Sequence, residues 1–155
     1  MITIEPPSSP FASALSKSGL TRFLNRARNA VGLEGQVDVL LADDATLRRL
    51  NRTFRGKNKA TDVLSFPTPA EIAHEHAGDL AISLETAAHQ AATYGHTLRD
   101  EVRILLLHGL LHLSGLDHET DAGEMATREA ELRQELRLPT TLIERVTVTK
   151  RRRTA

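Results

Sequence analysis

Three histidines, His108, His112 and His118, interrupt a leucine-rich run and constrain the structure of this chain more than any other feature of its sequence. In an α-helix, His108 and His112 would lie one turn apart on the same face, so both imidazoles could reach a single ion. Gly115 suits a left-handed helix terminus, which would turn the chain and bring His118 to the same point. The spacing therefore predicts a metal site with three nitrogen ligands, which leaves a tetrahedral ion one open position, as in catalytic zinc sites.

A simpler interpretation of the same run is a buried apolar helix with two core histidines, followed by His118 in a loop. Each buried imidazole would then need its own hydrogen-bond partner among aliphatic neighbours, which favours the metal site. Three imidazoles accept zinc, nickel or copper. We expect one Zn²⁺ ion, with Ni²⁺ or another divalent metal as the alternative. The zinc-protease motif His-Glu-x-x-His has a glutamate general base in its second position, where this chain has Gly109.

The composition limits the classes of protein to which the chain can belong. Its 155 residues suit one domain, and 40% hydrophobic with only 3% aromatic residues predicts a core of aliphatic side chains. The few aromatic residues argue against recognition of nucleic acid by base stacking. There is no cysteine, which excludes disulfides, cysteine zinc sites and thiol nucleophiles. Because we find neither a signal-peptide pattern nor a membrane span, we expect a soluble, cytoplasmic protein.

Charge is segregated along the chain although the formal net charge is zero. Residues 117–135 hold seven acids against two arginines. The C-terminal residues 140–155 end in a basic run, which predicts a flexible tail unless Val146 and Val148 form an edge strand. A basic stretch without acids would allow an anionic partner to bind at one face, although a solvated helix face would look the same. The cations of this basic stretch are Arg48, Arg49, Arg52, Arg55, Lys57 and Lys59.

Local signals predict an α+β fold with a single domain over residues 1–139. Asp43 or Asp44 can cap a helix that Gly56 ends, and Thr97 can cap the helix that carries the metal histidines. The predicted sheet is small, mixed and four-stranded, packed with about five helices, one of them a zincin-like metal helix. The remaining histidines, His74, His76, His89 and His96, are expected in a loop or on helix surfaces. The predicted strands are 2–5, 37–41, 61–66 and 78–83, the last two pairing antiparallel, and the main helices are 11–31, 84–94 and 122–137.

Four segments carry a family resemblance over roughly residues 35–135. They read NRTFRGKNKATDVLSFP at 51–67, GDLAIS at 78–83, YGH at 94–96 and HGLLHLSGLDH at 108–118. In order and spacing they resemble the YbeY family, the bacterial rRNA-maturation endoribonucleases. The resemblance implies that His108, His112 and His118 are the metal ligands and that Arg55 is the arginine linked to RNA cleavage. It also implies single-strand-specific cleavage in 16S rRNA 3′-end maturation, ribosome assembly and ribosome quality control, with rRNA and the small ribosomal subunit as partners.

The chemistry of the residues agrees with that implied function. The Arg55 guanidinium offers a planar fork of donors to a phosphate, and Lys57 and Lys59 add point charges for RNA binding. A structural alternative for Arg55 is a salt bridge, perhaps to Asp62. No general base is evident: Asp117 or Glu101 could serve, but Asp117 could equally orient a ligand imidazole.

Two other functions share these features. A metalloprotease would use the same ion, although Gly109 and the basic stretch argue against it. A non-catalytic ribosome-assembly factor with a structural metal would share every feature. Only turnover of a defined RNA would distinguish the endoribonuclease from this assembly factor. The oligomeric state is left open.

Overall fold

A four-stranded mixed sheet forms the centre of the computed structural model, which describes residues 1–145. The strand order is β1-β2-β4-β3. Strands β1, β2 and β4 run parallel to one another. Strand β3 pairs antiparallel with β4, as the sequence predicted. The fold is therefore α+β, with the expected mixed sheet. The strands are β1 (Ile2–Ile4), β2 (Gln36–Ala42), β3 (Val63–Pro67) and β4 (His76–Ser83).

Five α-helices and a short helical segment at 142–145 pack around the sheet within residues 1–145, and several of the starts follow local capping signals. Asp43, Ser83 and Thr97 each accept a hydrogen bond from a backbone N–H of the first helical turn. Two short 3₁₀ turns, Ala12–Ala14 and Ala70–Ile72, complete the regular structure. The helices are α1 (Lys17–Val31), α2 (Asp44–Arg55), α3 (Leu84–Tyr94), α4 (Leu98–Leu113) and α5 (Glu124–Glu135).

The first and last helices are shorter than the sequence predicted. The prediction that the first helix starts at residue 11 was wrong. The backbone is extended at Leu15, and α1 begins after Ser16, which caps it. The last helix begins at Glu124 rather than at residue 122 because the Asp121 carboxylate accepts the backbone N–H groups of Gly123 and Met125. These two hydrogen bonds hold the preceding turn in a non-helical conformation.

The two faces of the sheet carry cores of unequal size. Side chains alternate along each strand, so Leu80 and Ile82 enter the large core with α1 and α4, whereas Ala81 enters a small core with Leu47 of α2. Helix α4 lies in the large core with residues 104–111 all buried. No helix within residues 1–145 combines the length and apolarity that a membrane crossing needs.

Gly109 lets α4 lie against the sheet at the point where the histidines begin. A Cβ atom at this position would come within 2.8 Å of Leu80 Cδ2. The Ser65 hydroxyl of β3 donates to the Gly109 carbonyl at 3.3 Å. A glutamate in this position, as in the protease motif, would have to displace the neighbouring strand side chain.

Residues 140–145 pack on the domain, although the sequence placed them in a flexible tail. Thr141 and Arg145 are buried, and residues 142–145 are helical. The basic run at 150–153 and the possible edge strand at Val146 and Val148 lie outside the described residues. The folded unit thus extends beyond the domain boundary that we expected at residue 139.

Candidate metal centre

The three predicted histidines converge at the C-terminal end of α4. One ligand atom from each of His108, His112 and His118 lies within 4.8 Å of the other two. The Nε2 atoms of His108 and His112 are 3.1 Å apart. Two nitrogens on a tetrahedral zinc would be about 3.3 Å apart, from Zn–N bonds of 2.0–2.1 Å. Gly115 adopts φ +101°, so the left-handed turn that the sequence required does bring His118 back to the helix.

Hydrogen bonds on the outer side of two rings set the direction of their lone pairs. His108 Nδ1 lies 3.4 Å from Glu129 Oε2, and His112 Nδ1 lies 3.0 Å from the Leu116 carbonyl oxygen. Both partners are acceptors, so each Nδ1 carries the proton and each Nε2 presents a lone pair. Two lone pairs that face each other at 3.1 Å repel, whereas a cation between them would be bound by both.

His118 supplies the third nitrogen from the loop after α4. Its Nδ1 is buried and has no hydrogen-bond partner among residues 1–145. A buried polar atom without a partner is costly, and such atoms often mark an ion or water site. Three imidazoles with this geometry therefore fit one divalent cation with an open coordination position.

The surroundings of His112 favour its neutral form. Burial lowers the pKa of His112 below its ordinary value, and the neighbouring His108 and His118 lower it further. A proton on the ring would be held in a low-dielectric site beside two other basic groups. His112 therefore stays deprotonated at neutral pH, as a metal ligand must be.

Glu129 is a functional residue that the sequence interpretation missed. Its side chain is fully buried; Oε2 contacts His108, and Oε1 accepts the backbone N–H of Leu142 at 3.0 Å. From the sequence alone, Glu129 counts only as one of the acids of residues 117–135. However, Glu129 follows Met125 by four residues and precedes Leu132 by three, on the buried face of α5. An acid on the apolar face of a helix was the signal that could have identified it.

Glu101 belongs to a second buried cluster and is excluded as the general base. Its two carboxylate oxygens accept from the Arg145 guanidinium at 2.7 and 3.0 Å. His96 Nε2 lies 2.6 Å from Glu101 Oε1 and its side chain is only 9% exposed, so the expectation of a surface histidine was wrong. The Arg145 guanidinium also lies over the Tyr94 ring, 4.4 Å from its centroid. This cluster joins the segment after α5 to the helix that carries the metal ligands.

One cavity brings the histidines together with Arg55. The cavity has a volume of about 530 Å³, and Arg55, Asp62, Ser65 and Asp117 line it with all three histidines. Arg55 is exposed and forms no ion pair to Asp62 within residues 1–145. Asp62 instead accepts from the Val63 backbone N–H and from the Gln90 amide. The salt bridge to Asp62, which was the structural alternative for Arg55, is therefore not observed within residues 1–145.

The other predicted site residues lie differently. Lys57 and Lys59 are exposed in the loop after α2 and do not line the cavity. Asp117 lines the cavity and accepts the Glu119 backbone N–H at 3.0 Å, whereas the carboxylate beside His108 belongs to Glu129. Of the two acids proposed as a base, Asp117 is the one with access to the site.

A second group of ligand-type side chains lies on the sheet, away from the cavity. Asp38, His76 and Asp79 have ligand atoms within 4.8 Å of one another, and none of the three is buried. The N-terminal ammonium of Met1 lies 2.8 Å from Asp38, and His76 contacts Asp79 at 3.1 Å. His76 is half-buried at the start of β4, so the expectation that it lies solvated in a loop was wrong.

Sequence and fold comparisons agree on one family. Residues 9–137 match the family model for Endoribonuclease YbeY. A protein named Endoribonuclease YbeY from Koribacter versatilis is 54% identical over 135 residues, which cover 87% of each chain. One of the same name from Solibacter usitatus is 50% identical over 86% of this chain and 88% of its own. The solution structure of TM1509 from Thermotoga maritima superposes with a TM-score of 0.58 at 28% identity, covering 88% of this chain and 89% of that one. From this similarity along most of its length, the chain belongs to the YbeY endoribonuclease family.

Proposed function

We propose that this protein is a metal-dependent endoribonuclease that cleaves single-stranded RNA in the cavity between α4 and β3. The observation that carries the proposal is the shared cavity. Three convergent imidazoles line the same space as Arg55, which is exposed and forms no ion pair within residues 1–145. Family membership supplies the reaction class, because the relatives are named endoribonucleases.

The metal in this proposal is one Zn²⁺ ion held by His108, His112 and His118, with Ni²⁺ as the alternative. When bound there, such an ion would lower the pKa of a coordinated water and polarise a phosphate oxygen. Glu129 and the Leu116 carbonyl hold the Nδ1 protons and so direct Nε2 of the two helical histidines inward.

Arg55 binds the scissile or adjacent phosphate in this mechanism. Its guanidinium can donate two parallel hydrogen bonds to phosphate oxygens and stabilise the charge that develops there. Lys57 and Lys59, which lie outside the cavity, would contact flanking phosphates. Asp117 is the candidate proton acceptor, since it lines the cavity and Glu101 does not.

The biological role that we propose is 16S rRNA 3′-end maturation, together with ribosome assembly and quality control. This role rests on family membership and on the motifs at 51–67 and 108–118. It requires the small ribosomal subunit and its rRNA as partners, and it assigns the protein to the cytoplasm. Gly109 disfavours the metalloprotease alternative, because the protease motif has its general-base glutamate at this position.

The decisive experiment combines metal analysis and RNA cleavage on one sample of protein purified without a histidine tag. We expect about one equivalent of metal, cleavage of a defined single-stranded RNA with multiple turnovers, and loss of cleavage on chelation. Metal without turnover would favour the non-catalytic assembly factor. Casein digestion at catalytic enzyme levels, without RNA cleavage, would favour the protease.

A further inference from the structure

An exposed aromatic side chain lies beside the proposed active site. The side chain of Phe54, on the last turn of α2, is 65% exposed. Only four phenylalanines and one tyrosine occur in the chain, and Phe54 packs directly on a second phenylalanine, Phe66 of β3. One exposed apolar residue is common on protein surfaces, but here Phe54 forms a continuous apolar surface with Leu50 and Phe66 in one groove.

The geometry of this pair leaves a ring face free. The two centroids are 5.4 Å apart and the planes are inclined by 69°, an edge-to-face contact. Such a contact uses an edge of one ring and a single face of the other. At least one face of Phe54 is therefore available to a further planar group.

The groove at this aromatic pair continues the proposed active site. Arg55, Ser65 and Pro67 line both the groove and the cavity that holds the three histidines. Beyond these shared residues the wall of the groove consists of three apolar side chains, Leu50, Phe54 and Phe66, and one carboxylate, Asp79. A chain that passes Arg55 thus meets the polar space of the three histidines on one side and an aromatic surface on the other.

We propose that Phe54, supported by Phe66, stacks on a nucleobase of the RNA next to the scissile phosphate. This inference rests on the proposed function, since it assigns a base-binding subsite to the same substrate. A nucleotide combines an anionic phosphate with a planar π-system, which matches an arginine followed by an aromatic ring. The exposed cations of α2, Arg48, Arg49 and Arg52, add charge that suits a polyanion rather than an apolar peptide.

The low aromatic content had argued against base stacking as a general mode of recognition. A single stacking site needs one exposed ring, however, and the fold places it at the edge of the active-site cavity. Stacking is tolerant of base identity because every base has a π-face. The subsite would therefore position RNA without imposing a sequence.

A purely structural role for Phe54 makes a different prediction. In that role the ring only covers Leu50 and Phe66, which pack on the small core beneath α2. Leucine would then replace phenylalanine well, because it also covers apolar neighbours. Stacking requires a flat π-face, so tryptophan would replace it and leucine would not.

The test compares Phe54→Ala, Phe54→Leu and Phe54→Trp in the full-length, metal-loaded protein. We expect the alanine and leucine variants to raise KM and Kd for a single-stranded RNA by about tenfold, within the range of base–aromatic stacking. The tryptophan variant should stay close to wild type, and all three should keep their melting temperatures. The control is Ile72→Ala, which removes an exposed apolar side chain outside the groove and should change neither KM nor Kd.

A set of RNAs, each with one abasic position, completes the test. At one position the missing base should weaken binding to wild type but not to Phe54→Ala, which is the coupling expected for two groups in contact. Full function of the leucine variant, unchanged affinity of the alanine variant, or no coupled position would each overturn the stacking site. Failure of wild type to bind single-stranded RNA would overturn the proposed function as well.

Discussion

The two sides of the proposed active site are built in opposite ways. On the α4 side, His108 is 4% exposed and is held by Glu129, which is itself fixed by the Leu142 backbone. On the α2 side, Arg55, Lys57 and Lys59 are exposed in and after the last helical turn. Metal ligands must be held to within a few tenths of an ångström, whereas contacts to a flexible polymer can adapt in water.

This contrast has energetic consequences. Buried charges that lose a partner are costly, about 3–5 kcal/mol, whereas exposed ion pairs contribute about 0–1 kcal/mol. Substitutions on the α4 side should therefore change stability and metal affinity together. Substitutions on the α2 side should change RNA handling alone.

The largest effect is expected from removal of a ligand. His112→Ala leaves two imidazoles, and we expect metal affinity to fall by more than about 100-fold, beyond the range of changes to ligand-orienting residues. Metal content after dialysis measures this directly. His89→Ala, on the exposed surface of α3, is the matched control and should bind metal normally. Full metal content in the triple variant of His108, His112 and His118 would place the site elsewhere.

The next effect concerns the buried pair that anchors residues 140–145. Glu101→Gln removes the carboxylate charge that pairs with the buried Arg145 guanidinium, so we expect the free energy of unfolding to fall by about 3–5 kcal/mol. Urea denaturation of the metal-free protein measures the change. Glu131→Ala, which breaks an exposed ion pair with Arg128, should cost only about 0–1 kcal/mol. Equal losses for the two variants would contradict the contrast between buried and exposed charge.

Glu129→Gln tests whether ligand orientation can be weakened without removing a ligand. An amide has one acceptor oxygen, whereas the carboxylate serves two donors, His108 Nδ1–H and the Leu142 N–H. We expect metal affinity to fall by about 10–100-fold. Competition with a chromophoric chelator measures the affinity, and circular dichroism checks that the fold is retained. An unchanged affinity would show that Glu129 has no orienting role.

On the exposed side, Arg55→Lys should separate RNA cleavage from metal binding. A bidentate phosphate contact needs the guanidinium fork, so we expect cleavage to fall at least about tenfold, or about 1.4 kcal/mol, with metal content and melting temperature unchanged. Arg55→Glu should behave in the same way with a larger loss. Arg49→Lys, on the same helix but outside the cavity, is the control. Wild-type cleavage by Arg55→Glu, or its unfolding, would remove the catalytic assignment.

The smallest effect is expected for Lys57 and Lys59. Each cation that contacts a phosphate of a single strand contributes roughly 0.7 to the slope of log K against log salt concentration. Replacing both by alanine should flatten this slope by about 1.4 while leaving the maximal cleavage rate close to wild type. Titrations of RNA at several salt concentrations measure the slope. An unchanged slope would show that neither lysine contacts the RNA.

Features that depend on neighbours in sequence could be predicted without the structure. Asp43 and Thr97 cap their helices through backbone groups three residues away, and Gly56 ends α2 in a left-handed conformation. The spacing of His108 and His112 fixes them on one helical face for the same reason. The family resemblance through residues 51–67 and 108–118 also predicts Arg55 as a site residue, without knowledge of its contacts.

Features that depend on packing could not be predicted in this way. The contacts of Glu129 with Leu142 and of Glu101 with Arg145 span 13 and 44 residues, and no local rule pairs such positions. The sequence also could not show which cations of the basic stretch line the cavity. Arg55 lines it, whereas Lys57 lies outside it. The sequence by itself determined the helical caps and the histidine spacing, because backbone hydrogen bonds and helical periodicity act over about four residues. The tertiary packing set which acids are buried and left Phe54 exposed beside the cavity, because those properties depend on how α2, α4 and α5 pack together.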